Sequence, residues 1–168
     1  MAFSFIGIGA TTVLLLTAPV AALAQQSRAA DQLIGTWLLV SISGERDGQK
    51  TEPWGSNPKG ILVMNANGRF AQIQMRSDLP KFSSPNRTKG TPEEFRATAL
   101  GSLTYFGTFS VTEAANEILF RVEFSSFPNL NGEVNRRPFT LKGDQLVTVN
   151  PASATGGSAV SLTWHRDR

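Results

Sequence analysis

Few residues of this chain have types and spacings that could support catalysis. His165 is the only histidine. Successive side chains of a strand point to opposite faces, so His165 is expected to point outward because its neighbour Trp164 faces inward. Glu93 and Glu94 could be mistaken for a catalytic carboxylate pair, but adjacent side chains on a helix diverge. The sequence contains no cysteine and no Gly-x-Ser-x-Gly nucleophile motif. We therefore assign no catalytic residue, and one histidine with scattered acids predicts neither a metal nor a cofactor.

Arg137 is the charged residue with the clearest binding potential. It is two positions from Phe139, so the two side chains share a strand face unless Pro138 disturbs the register. A guanidinium inside the protein would need an acidic partner or an anionic ligand. Facing outward, it would join Arg136 in a basic rim. Both orientations stay open at this point.

Aromatic residues on neighbouring strands could form either a core or a ligand wall. Tyr105 and Phe109 share a face, and Phe120 belongs to the apolar face of the next strand. Met75 could adapt to an irregular ligand. We predict a pocket with residues 77–90 near its entrance, lined by Met75, Tyr105, Phe109, Phe120 and Arg137.

The elements that must position these residues are mainly short strands. Alternating apolar residues and regularly spaced turns predict about eight strands, so we expect an all-β, antiparallel, up-and-down barrel. Residues 91–100 are the exception, because Thr91, Pro92 and Glu94 form a helix start with a capping box. The predicted strands cover residues 36–43, 61–64, 69–76, 103–111, 117–124, 133–141, 145–150 and 159–166.

The N-terminus predicts export. Residues 3–20 are almost wholly apolar and Ala22-Leu23-Ala24 resembles a signal-peptidase site, so residues 1–24 are interpreted as a signal peptide and 25–168 as one domain. The alternative is a retained membrane anchor. With cleavage, we expect a periplasmic or secreted monomer that no longer spans a membrane. The net charge of +3 is scattered and forms no basic stripe, which argues against nucleic-acid binding.

A series of short fragments follows a characteristic order through most of residues 25–168. The fragments are residues 33–37, 57–62, 67–68, 75–76, 90–94, 105–109, 127–129, Gly132 with Arg137 and Phe139, 143–146 and 162–164. Together they resemble the bacterial lipocalin-like domain family, which implies a calycin-like barrel and a small, largely apolar ligand. Many members have a histidine near Phe120-Arg121 and a glutamine where Asn135 stands, so chemistry through that histidine is not expected here.

Three functions remain compatible with this pattern. The first is an exported protein that binds or carries a small hydrophobic molecule. An arginine in the pocket would favour an anionic molecule. The second is an isomerase or cyclase that works by confinement and one or two polar groups. The third is a structural envelope protein without a ligand. Converging polar groups would favour the enzyme, an open apolar cavity the carrier, and a solidly packed interior the structural protein.

Overall fold

A single antiparallel barrel accounts for most of the chain. The computed structural model describes residues 29–46, 48–112, 116–152 and 159–168, so the predicted signal peptide lies outside the described residues. Helix α1 covers Pro92–Gly101, and a 3-10 helix covers Pro128–Leu130. The strands are β1 Gly35–Arg46, β2 Gln49–Thr51, β3 Lys59–Met64, β4 Arg69–Met75, β5 Ser102–Thr112, β6 Glu117–Ser125, β7 Val134–Lys142, β8 Gln145–Asn150 and β9 Val160–Arg166.

The strand order follows the sequence from β3 to β9, and pairing of β1 with both β3 and β9 closes the barrel. The predicted eight-stranded, up-and-down barrel with one short helix is therefore confirmed. Strand β2 is an addition that the sequence did not predict. It pairs with residues 44–46 at the end of β1.

The barrel interior follows the two-residue period of the strands. At the end where β1 begins, large apolar side chains fill the interior completely. We call this the closed end, and its fully buried residues include Leu33, Trp37, Leu62, Met64, Leu146 and Trp164. The opposite end, where β1 finishes and β3 begins, is the open end.

Arg166 joins the first and last strands at the closed end. Its guanidinium carbon lies 4.1 Å from the centroid of the Trp37 ring, which is a cation–π contact. It also donates hydrogen bonds to the carbonyl oxygens of Gln32 and Ile34. Gly35 makes room for this contact: its φ is +135°, and a Cβ there would lie 2.9 Å from the Arg166 guanidinium. Gly35 and Trp37 therefore both contribute to barrel closure.

Gly107 allows a sharp bend in β5. The β5–β6 register shifts between Phe106 and Gly107, and a Cβ at position 107 would lie 1.9 Å from the carbonyl oxygen of Arg121. Only glycine permits so close an approach of the two backbones. The bend curves the wall that carries Tyr105.

Helix α1 begins as the sequence predicts. The Thr91 hydroxyl accepts from the Glu94 amide, and the Glu94 carboxylate accepts from the Thr91 amide, so the capping box is complete. Glu94 also accepts from the Ser83 amide, which ties the preceding loop to the helix. No helix in the described ranges is long and apolar enough to cross a membrane.

The Arg166 contact leads to a prediction about stability. Arg166→Ala should lower the free energy of unfolding by about 2 kcal/mol, because it removes a cation–π contact and charged hydrogen bonds to two carbonyls. Arg168→Ala removes an exposed ion pair with Asp144 and should change stability by less than about 0.5 kcal/mol. Urea unfolding followed by tryptophan fluorescence measures both. Equal effects of the two substitutions would contradict the role assigned to Arg166.

Candidate functional site

The barrel holds a cavity of about 120 Å³ toward its open end. Inward-facing positions of the strands form its wall, and residues from three connecting segments close it over. These lining residues are Ile42, Trp54, Gln72, Gln74, Leu103, Tyr105, Phe120, Phe127, Leu130, Asn135, Arg137, Thr148, Asn150, Ala152, Val160 and Leu162.

Two groups of polar side chains in this wall already have partners. Gln72 donates from Nε2 to Oε1 of Gln74 at 2.8 Å, and both side chains are buried. Thr148 accepts a hydrogen bond from the indole nitrogen of Trp164 at 3.2 Å. These pairings satisfy part of the hydrogen-bonding capacity that burial would otherwise leave unused.

Asn135 differs from them. Its amide nitrogen Nδ2 is fully buried and has no hydrogen-bond partner in the described part of the chain. The residue pairs with Phe120 across β6 and β7, beside the aromatic wall. A buried donor without an acceptor costs about 1–3 kcal/mol. An acceptor atom of a ligand in the cavity would recover that free energy.

Tyr105 and Arg137 form the ionisable part of the cavity. Burial raises the pKa of the Tyr105 phenol above its ordinary value, and the positive charge of Arg137 partly opposes this shift. Tyr105 packs edge-on against Phe70, with ring centroids 5.8 Å apart. The phenol is thus held protonated, and it lies in the same cavity wall as a permanent positive charge.

The structure brings together three of the five residues predicted for the pocket. Tyr105, Phe120 and Arg137 line the cavity, with Arg137 half-buried. Phe109 is also half-buried but packs against the core below. Met75 is 38% exposed and lies on the outer face of β4.

The glutamines of β4 were missed because this strand turns polar side chains inward and apolar side chains outward, the reverse of the usual arrangement. Gln72 and Gln74 point inward, whereas Ile73 and Met75 point outward. Counting every second residue from the buried Phe70 would have placed both glutamines in the interior. Trp54 and Phe127 were missed because their connecting segments have no periodicity to read.

Other candidate residues lie outside the cavity. His165 is exposed, as predicted, and Glu94 caps α1. Glu123 pairs with Arg69 on the surface. Within the described residues, no group of three histidines or acids is placed to hold a metal ion.

The loop of residues 77–90 lies beside α1. Phe82 packs edge-on against Phe95 of the helix, with centroids 5.5 Å apart. Residues of this loop do not line the inner cavity, although Leu79 and Pro80 line a separate depression against α1.

A closed antiparallel barrel of eight strands around an internal cavity is the architecture of lipocalin-type barrels, which can hold one small ligand. The sequence profile of the lipocalin-like domain family matches residues 34–167, so the chain belongs to that family. It is also similar to the 4'-hydroxy-3'-methoxypropiophenone carrier protein ppsC of Aspergillus oryzae. The two are 33% identical over 105 residues, which cover 57% of this chain and 94% of the fungal protein.

The ionisation of Tyr105 can be measured directly, because it is the only tyrosine of the chain. The ultraviolet absorbance of tyrosinate should reach half of its full value at a pH above 10.0, the ordinary pKa of the side chain. Arg137→Gln should move this titration to still higher pH, because it removes the charge that favours tyrosinate. An unchanged titration curve in the variant would show that the two groups do not interact.

The same shift predicts how stability depends on pH. The phenol has a higher pKa in the folded protein than in the unfolded chain, so its contribution is complete below about pH 10 and is lost as the pH rises further. Tyr105→Phe should therefore reduce the decline of unfolding free energy at alkaline pH. Urea unfolding at several alkaline pH values provides the comparison.

Proposed function

We propose that this protein is a non-covalent carrier of a small hydrophobic molecule that bears one polar or anionic group. The observation that carries the proposal is the meeting of Tyr105, Arg137 and the unpaired Nδ2 of Asn135 in one cavity. Apolar and aromatic walls with a few placed polar groups are typical of small-molecule sites. The fungal relative is named as a carrier of a phenolic ketone, which supports this class of ligand.

The polar groups favour an oxygen-bearing ligand. Asn135 and Arg137 can both donate hydrogen bonds, and a guanidinium prefers carboxylate, phenolate or enolate oxygens. Phe120 and Leu162 add apolar surface to the wall of the same cavity. An aromatic ring with one oxygen substituent matches this combination of groups.

Two neighbouring arginines provide a matched test of the anchor. Arg137→Ala should weaken binding of para-hydroxybenzoate by about 1.5–3 kcal/mol, the scale of a charged hydrogen bond. Arg136→Ala removes the same charge from the opposite strand face, where the side chain is 63% exposed and pairs with Glu117. It should leave affinity nearly unchanged. Calorimetric titration measures both, and equal affinities of Arg137→Ala and wild type would contradict the anchor.

A second function is favoured by the convergence of polar groups. The protonated Tyr105 and Arg137 can both donate hydrogen bonds to a carbonyl oxygen, and an isomerase or cyclase would use such donors to stabilise negative charge on that oxygen. Nuclear magnetic resonance of a co-purified ligand, before and after incubation with fresh protein, distinguishes the two functions. Recovery of the same compound supports the carrier, and a new isomer supports the enzyme. The cavity itself argues against a structural barrel packed solid.

We also propose that the protein is exported and monomeric. The support is the apolar run of residues 3–20 followed by Ala22-Leu23-Ala24. Native mass spectrometry of protein purified from its own source should give the mass of one chain that begins at Gln25. A full-length mass in the membrane fraction would instead support the retained anchor. The same spectrum should contain a bound small molecule.

A further inference from the structure

A second compartment adjoins the inner cavity at the open end. It is a groove of about 650 Å³ that lies between the last turn of α1, the start of β5 and the segments around Trp54 and Phe127. Three residues, Trp54, Leu103 and Phe127, line both spaces. The two spaces are therefore neighbours that meet at these three side chains.

The chemistry of the groove differs from that of the cavity. Its wall includes Pro53, Ala99 and Leu100. Leu100, the single leucine of α1, is 63% exposed. The one charged residue in this wall is Arg76, whose guanidinium already donates two hydrogen bonds to Asp78, at 2.8 and 2.6 Å. The groove thus offers apolar surface with its charge already neutralised, whereas the cavity contains Arg137 and the buried Nδ2 of Asn135, which has no partner among the described residues.

The size of the inner cavity limits how much of a ligand it can hold. Its volume of about 120 Å³ is somewhat below that of engineered cavities that take up one benzene ring, about 150 Å³. A substituted aromatic ligand is larger than this volume, and Trp54 and Phe127 mark the side on which the groove offers further space. Phe127 is 39% exposed, so it borders solvent as well as both compartments.

We propose that the groove is the second compartment of the ligand site and binds an unbranched apolar chain. The polar ring of the ligand lies in the inner cavity, and its alkyl or acyl chain lies against Leu100, Ala99 and Phe127. The ligand class is thus a phenol or aromatic acid with a hydrophobic tail. This inference rests on the proposed carrier function and adds the tail to it.

The experiment varies only the tail. The dissociation constants of para-hydroxyacetophenone, para-hydroxypropiophenone and para-hydroxyoctanophenone are measured by calorimetry with the full mature protein. Each added methylene should tighten binding by up to about fourfold, the limit for complete burial. Leu100→Asp should abolish most of this gain while leaving the affinity for para-hydroxyacetophenone unchanged.

Val40→Asp is the control, because it places the same charge on the exposed outer wall at β1. It should retain the full dependence on chain length. If wild type binds all three ketones equally well, or if Leu100→Asp weakens all three by the same factor, the groove is not a tail site although the carrier function stands. If wild type binds none of them, the carrier function for this ligand class fails and the groove inference fails with it. Circular dichroism establishes that both variants are folded.

Discussion

The contact of Arg166 with Trp37 is the interaction on which the barrel depends, because it joins the two ends of the sheet. A barrel of eight strands is stable only if its first and last strands meet in register. Arg166 secures this meeting by stacking on one aromatic ring and holding the carbonyls of Gln32 and Ile34, where the chain enters β1. The indole of Trp37 in turn donates to the Leu33 carbonyl, so the entering segment covers the closed end.

The open end follows a different physical rule. Its interior carries glutamines, an asparagine, a tyrosine and an arginine, which an apolar core would exclude. Gln72 and Gln74 satisfy each other, but the Nδ2 of Asn135 finds no partner among the described residues. Such a group lowers the stability of the empty barrel, and a bound acceptor would remove that cost.

The sequence predicts the fold of this protein better than its site. Alternation and turns place eight strands, and the capping box at Thr91 places α1, because these signals are local. The orientation of Arg137 depended on a register across Pro138 that local signals leave open. Met75 was expected in the pocket on its chemistry, whereas the pleat of β4 puts it outside. Trp54 and Phe127 reach the cavity through the path of irregular segments, which only the folded chain defines.

The separation of the two ends has a consequence for how this protein can evolve. The residues that close the barrel and those that face the cavity occupy different levels of the same strands, so most substitutions affect one group without the other. On β7, alternation sends Arg136 to solvent and Arg137 to the cavity. Replacement of a few side chains at the open end can thus change the molecule that is recognised while the scaffold persists. A common architecture can in this way serve many small molecules. The residues of the closed end can stay the same when the ligand changes.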